Sequence, residues 1–247
     1  GYDEKLCLGS LCGSGTLGIL IPPSVTMIIY AVAAEVPIIE LFAAGLVPAA
    51  LLMLMFMGWI AWRALRDPTL APDTGRRVGW KERAFRDSLL GATKVSAMIM
   101  LIIAGSAFLT KAMAYTGIPR GLAEWVSTQG LSPAVLILAL SVLYIVLGTA
   151  LDGVSMIVLT AAVVIPMVQA AGIDLVWFGI FIVLMVEMSE ITPPVGFCLY
   201  ILQAMSGRDS SFVAMAAMPF FFILGLMVAL VTAFPSLVLW LPQTLVR

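Results

Sequence analysis

The sequence has no histidine among its 247 residues. That removes the commonest general base near neutral pH and the commonest transition-metal ligand. Charge is nearly as scarce: Asp, Glu, Lys and Arg make up 11% of the chain, against about 25% in an average soluble domain. Thirteen basic and fourteen acidic residues give a formal net charge of −1, which argues against nucleic acid or another polyanion as a partner. The cysteines number three, Cys7, Cys12 and Cys198. An odd, scattered set implies neither a disulfide framework nor a metal cluster. Phosphate-loop, dinucleotide, Gly-x-Ser-x-Gly and His-Glu-x-x-His motifs are all missing. An intramembrane enzyme needs a nucleophile–base pair or a metal, so this is not an enzyme sequence. The first residues, Gly-Tyr-Asp, include no initiating Met and no signal peptide, which reads as a piece of a longer protein.

What the chain has in quantity is apolar surface. The AVILMFWYC set accounts for 62% of residues, and the mean hydropathy is +1.11. A soluble domain of this size cannot bury that much. The composition reads as an all-α, polytopic membrane protein with about five to seven crossings. The first apolar segment, Gly13 to Ala34, is interrupted at Pro22-Pro23. Two prolines cannot continue a helix, so two half-helices with an unwound link are expected. A helix over Ile38 to Arg63 follows, then a polar stretch from Arg66 to Lys81. A helix that begins amphipathic at Lys81 becomes apolar over Val95 to Leu109, and a short interfacial helix covers Gly121 to Gln129. Ser132-Pro133 starts the next helix, which breaks at Gly148–Gly153. Its return arm, Val154 to Ala170, matches it in length. Both arms are short for a full crossing of about 30 Å, which suggests a re-entrant hairpin or two tight spans. Leu175 to Met205 breaks at Ser189–Gly196, and a last helix runs from Phe212 to Ala233 before a Trp240-Leu-Pro242 anchor. Eight of the 13 basic residues lie between Arg63 and Lys94, and Arg208 precedes the last helix; the positive-inside rule puts both loops in the cytoplasm. The basic loop Arg76–Arg86 is a topology signal or an arm on the anionic leaflet. Gly91-Ala-Thr and Ala104-Gly-Ser106 allow close helix packing.

Three features carry chemistry. Non-helical backbone at membrane depth persists only where protein or a cavity covers it. Matched breaks at Leu20-Ile-Pro-Pro-Ser24 and Glu190-Ile-Thr-Pro-Pro-Val195 are the sequence pointer to a secondary transporter's midplane site, where freed carbonyls hold a cation and half-helix N-termini favour anions. Asp152 sits between apolar arms with Thr149 before it and Ser155 after it. These oxygen donors suit a hard cation such as Na+, and Asp152 is also a natural N-cap for the next helix. Glu187 and Glu190 precede Pro193-Pro194 and share roughly one helix face. They are candidates to bind a cation, relay a proton or pair with a base, and the nearest basic residues in the apolar segments are Lys94 and Lys111 near helix ends. A channel or scaffold subunit is the competing class, with the hairpin as a filter.

The two Pro-Pro motifs carry a resemblance. Gly15-Thr-Leu-Gly-Ile-Leu-Ile-Pro-Pro-Ser24, Leu147-Gly-Thr-Ala-Leu-Asp152, Ala171-Gly-Ile-Asp174 with Trp177-Phe-Gly179, and Glu187-Met188 with Ile191-Thr-Pro-Pro-Val-Gly196 together resemble the large membrane subunit of TRAP (tripartite ATP-independent periplasmic) transporters. The resemblance implies a Na+-coupled elevator symporter of the bacterial inner membrane that imports organic acids such as C4-dicarboxylates. It implies a small membrane subunit and a periplasmic substrate-binding protein as partners, and Na+ as coupling ion with no other cofactor. It also implies two inverted repeats, each with a re-entrant hairpin and a broken helix. Residues 1–36 would then be the broken helix of the first repeat. Residues 37–94 would be a helix, cytoplasmic loop and arm. Residues 95–247 would be the second repeat, with hairpin 132–171 and broken helix 175–206. By motif, Gly148, Thr149, Asp152, Ser155, Glu187, Thr192 and Pro193 would form a cation site. Gly18, Pro22, Pro23, Ser24, Glu190 and Pro194 would serve the substrate and a second cation. The first hairpin of the family is missing, and the stretch after Arg66 is short for it, as in a truncated or internally deleted form that is either a partial transporter or an inactive fragment.

Overall fold

The computed structural model describes residues 2–71, 132–149, 151–193 and 196–245, with scattered positions between 89 and 130. The expected helices over Lys81–Leu109 and Gly121–Gln129, the Arg76–Arg86 loop, the small-residue contacts at Gly91 and Ala104, and Lys94, Lys111 and Pro194 lie mostly or wholly outside the described residues. Among the described residues every regular element is helical: α1 (Glu4–Leu20), α2 (Val25–Ala34), α3 (Ile38–Arg66), α4 (Pro133–Gly148), α5 (Gly153–Ala170), α6 (Leu175–Glu190), α7 (Phe197–Ser206), α8 (Ser210–Ala233) and α9 (Ser236–Leu245), plus a 3-10 turn at Pro68–Leu70. Among the described residues three stretches are long and apolar enough to cross a membrane, Glu4–Ala34, Ile38–Arg66 and Ser210–Ala233, and the bent α5 would make a fourth if it counts as one span.

The sequence places the start of the first segment at Gly13; the helix begins at Glu4 instead. Asp3 caps it, accepting a hydrogen bond from the Leu6 amide at 2.8 Å, and Gly9 and Gly13 lie flat against α8. A Cβ at Gly9 would stand 2.3 Å from the Ala216 carbonyl oxygen, and one at Gly13 would stand 2.4 Å from the Phe220 ring. Tertiary packing thus overrides the weak local helix propensity of glycine. Both Pro-Pro breaks are present: α1 ends at Leu20 and α2 restarts after Ser24, and α6 ends at Glu190 and α7 restarts after Gly196. α4 and α5 form the expected pair of arms around residues 149–152. α5 bends by 66° between its two halves, next to Pro166, whose ring and missing N–H kink a helix.

The two halves repeat. One shift of the chain, bringing Pro22 onto Pro193, also brings Asp3 onto Asp174 and Pro48 onto Pro219. Under the same shift α1, α2 and α3 fall on α6, α7 and α8 to within a residue or two at their starts. Asp174 caps α6 as Asp3 caps α1, taking the Trp177 amide at 2.9 Å. The halves run in opposite directions. The start of α1 meets the α7–α8 connection through a Glu4–Arg208 ion pair at 2.5 Å. At the other end, Tyr30 of α2 donates to the Leu175 carbonyl at the start of α6 at 2.7 Å. The described basic residues, Lys5, Arg63, Arg66 and Arg208, share one end: the Asp3 amide donates to the Leu70 carbonyl just beyond α3. The hairpin arm α5 ends at Ala170, shortly before the start of α6 at the opposite end. α6 lies at the centre, with residues 177–186 buried without interruption. A helix buried all round by its neighbours is the one placed to hold a site shared by both halves.

Candidate functional site

The hairpin tip rests on α6 just before the second break. A Cβ added to Gly148 would stand 2.1 Å from that of Ser189, and one on Gly153 would stand 2.2 Å from a Val186 methyl. Glycine at both flanks is what lets the tip backbone reach the helix. Between them Asp152 caps α5. Its carboxylate accepts the Ser155 amide at 3.3 Å and a close hydrogen bond from the Ser155 hydroxyl. The capping role read from the sequence is therefore real, and Asp152 and Ser155 stand side by side as oxygen donors. Thr149 turns elsewhere, its hydroxyl donating to the Val146 carbonyl at 2.7 Å. Thr192 likewise donates to the Met188 carbonyl at 2.7 Å. Both hydroxyls keep lone pairs free to accept or coordinate.

Glu187 and Glu190 part company. Glu187 is fully buried, and neither of its carboxyl oxygens has a hydrogen-bond partner. The Leu20 backbone, at the edge of the first break, is the main-chain segment facing it. Glu190 sits at the rim of the second break. Cys198 approaches its Oε2 at 3.8 Å, and Asp152 and Cys12 lie within electrostatic range of it. Glu190 thus lies within electrostatic range of Glu187 on its own helix and of Asp152 at the hairpin tip, while among the described residues no three acidic, cysteine or histidine side chains stand close enough together to hold a metal ion. Removing a carboxylate from water without a partner costs several kcal/mol, which a bound cation or proton offsets. Nothing in the sequence pattern indicates that Cys198 stands beside Glu190 with Cys12, far away along the chain, within electrostatic range. Thr16 was also missed: it is fully buried, donates to the Gly13 carbonyl at 3.0 Å, and falls on Glu187 under the shift that relates the halves. That register is the signal that would have found it.

At the first break Ser24 caps α2, accepting the Met27 amide at 3.4 Å, and is buried. Pro23 and Gly18 are exposed, and nothing lies within 4 Å of the place a Gly18 Cβ would take. The structure therefore brings Asp152, Ser155, Glu187 and Glu190 together, and leaves Gly18 on an open face of α1.

Two antiparallel broken helices with a hairpin tip seated on α6 just before the second break are the arrangement found in membrane transport families. The sequence matches the family described as the DctM component of tripartite ATP-independent periplasmic transporters over residues 1–82 and 69–237. The chain belongs to this family. It is a transporter permease family of integral membrane proteins, not a family of enzymes. The C4-dicarboxylate TRAP transporter large permease protein DctM of Pseudomonas aeruginosa is 30% identical over 295 residues, an alignment covering 99% of this chain and 69% of that protein. The sialic acid TRAP transporter large permease protein SiaM of Vibrio cholerae is 25% identical, over 98% of this chain and 68% of that one. The isethionate TRAP transporter permease protein DctMQ of Oleidesulfovibrio alaskensis is 21% identical, over 96% and 45%. The Pseudomonas alignment spans 295 positions against 247 residues here, so dozens of positions of that relative have no counterpart in this chain. The two family-matched stretches overlap at residues 69–82.

Proposed function

We propose that this chain is part of the large permease of a Na+-coupled importer of organic acids, working by elevator motion in the bacterial inner membrane. It would act with a small membrane subunit and a periplasmic substrate-binding protein. The observation that carries the reading is Glu187, a buried carboxylate without a hydrogen-bond partner where two broken helices meet. A cation there satisfies the charge, and the neighbouring oxygens of Asp152, Ser155 and Thr192, with the tip and break carbonyls of Gly148 and Pro193, are of the kind a hard cation takes. The described residues offer no arginine near the breaks to clamp a carboxylate substrate. The start of α2 behind Pro22, Pro23 and Ser24 is the anion-favouring end, close to the positive charge that Glu187 would hold. Relatives carry C4-dicarboxylates, sialic acid or isethionate by name, so the substrate class proposed is a small organic anion.

The test is uptake into proteoliposomes containing this chain, its small subunit and its binding protein, with and without an inward Na+ gradient. Gradient-stimulated uptake that disappears in Asp152→Ala and Glu187→Gln supports the reading. Uptake indifferent to Na+ sinks the coupling. A second reading, a remnant unable to transport unaided, is favoured by the positions of the Pseudomonas relative that have no counterpart here; in that case uptake is absent here and present with a full-length relative.

A further inference from the structure

The described cations gather at the end where α1 and α8 start and α3 finishes, and aromatic rings hold most of them. The Lys5 ammonium stands 5.4 Å from the centre of the Phe212 ring, and the Arg208 guanidinium stands 5.5 Å from the same ring. On α3, Arg66 stands 5.3 Å from the Trp62 ring. A ring face attracts a cation without neutralising it. The acids of this end have other work. Asp3 caps α1, Asp67 accepts from the Thr69 hydroxyl, and Glu4 pairs with Arg208. Asp209 stands at the start of α8 without capping it. Among the described residues no carboxylate pairs with Lys5, which is exposed.

Depth and shape add to the charge. α8 has 24 residues and is about 36 Å long at 1.5 Å per residue. The hydrocarbon core of a bilayer is about 30 Å thick, so Phe212, in the first turn, stands at headgroup level. Arg208 is flanked by two open clefts of about 470 Å³ each, one bounded by Cys7, Leu8 and Ser206, the other by Tyr200 and Gln203. Beyond this polar patch α8 turns an apolar track outward. Met215, Phe222 and Leu226 are all exposed, and their spacing of seven and four residues puts them on one strip of the helix.

We infer that Lys5, Phe212 and Arg208 form a site for one anionic phospholipid, its phosphate between the ammonium and the guanidinium and an acyl chain along Met215, Phe222 and Leu226. A soluble anion gains nothing from the track, and a zwitterionic headgroup brings its own cation to a patch that already holds two. The positive-inside rule assigns this end to the cytoplasmic leaflet, whose surface anionic lipids make negative. Glu4 is the internal competitor, since it occupies part of the Arg208 guanidinium. A lipid bound here ties the start of α1 to the start of α8, and so one half of the molecule to the other. The inference requires only the placement in a membrane, not the coupling ion or the substrate, so its failure and that of the transport proposal are separable.

The experiment exposes the purified chain in detergent to an equimolar mixture of phosphatidylglycerol and phosphatidylcholine with identical acyl chains, and counts bound lipid by native mass spectrometry. The expected result is enrichment of phosphatidylglycerol on the parent chain, reduced about fivefold in Lys5→Gln, the effect of one cation at an anionic surface. Lys5→Gln breaks no ion pair, so the fold is kept. Glu4→Gln separates charge from structure: it loses an ion pair between the halves, yet by removing the competing carboxylate it should raise the enrichment severalfold. Glycerol phosphate, which has the headgroup chemistry without acyl chains, should leave the bound lipid in place. Equal retention of the two lipids by the parent overturns the inference, as does an unchanged enrichment in Lys5→Gln or a fall in Glu4→Gln. Displacement by glycerol phosphate overturns it too, because the site would then be one for a soluble anion.

Discussion

At Glu187 both carboxyl oxygens are buried without a donor, whereas at Ser189 the hydroxyl is buried and satisfied by the Val186 carbonyl at 2.8 Å. The first group needs something the described residues do not supply; the second does not. Glu187→Gln keeps the shape and removes the charge. It should raise the melting temperature in Na+-free buffer and abolish the rise that Na+ gives to the parent chain, since a ligand stabilises only the state that binds it. A thermal-shift titration with NaCl against choline chloride reads both effects; an unchanged Na+ response in the variant removes Glu187 from the site. The glycines make a second prediction. Gly148→Val forces a side chain into Ser189 and should destabilise by about 1–3 kcal/mol, as overpacking does. Gly15→Ala, with open space around it, should be neutral or stabilising by about 0.5–1 kcal/mol. Equal effects of the two substitutions in a chemical or thermal melt would contradict the placement of the hairpin tip. The sequence pattern put both glutamates forward, because i and i+3 share a helix face. Only the arrival of α1 buries one of them fully and leaves the other at the rim beside Cys198, and that long-range packing has no local signature.

Among the elements, the two breaks were legible because adjacent prolines remove two amides in a row and push the residue before each out of the helical region, whereas the single prolines Pro48 and Pro219 are carried inside α3 and α8. The hairpin was legible in outline for a similar local reason: glycines and a capping aspartate stand between two short apolar arms. The start of α1 was not. Its first turns carry Lys5, Ser10 and three glycines before Gly18, and they are held by Asp3 at one end and by the flat contact with α8 along the side. The paired caps give a test at this scale. Asp174→Ala should cost about 0.5–2 kcal/mol and speed amide exchange in the first turn of α6, and Asp3→Ala should do the same for α1. Amide exchange followed by mass spectrometry in nanodiscs checks both. A substitution that loosens neither helix start would mean that the caps contribute nothing to the repeat they mark.

At the scale of the whole molecule, two halves of opposite direction share one central helix, α6, which carries the buried Glu187 near its end. The repeat itself was visible in the sequence only as two similar Pro-Pro motifs. Few side chains coincide under the shift, since each half solves a different packing problem: one half carries its hairpin and the other leaves the matching face bare. A shared site in such an arrangement is reached from either side of the membrane only if the breaks, the tip and α6 move together against their surroundings. That is the elevator proposal in structural terms, and charge compensation at Glu187 and Asp152 is its centre. The most direct measurement is substrate uptake into proteoliposomes under an inward Na+ gradient, with the binding protein and small subunit present, for the parent chain beside Glu187→Gln and Asp152→Ala. The expected result is uptake that requires the gradient in the parent and is lost in both variants. Uptake of equal size without Na+, or undiminished in Glu187→Gln, would contradict the central claim.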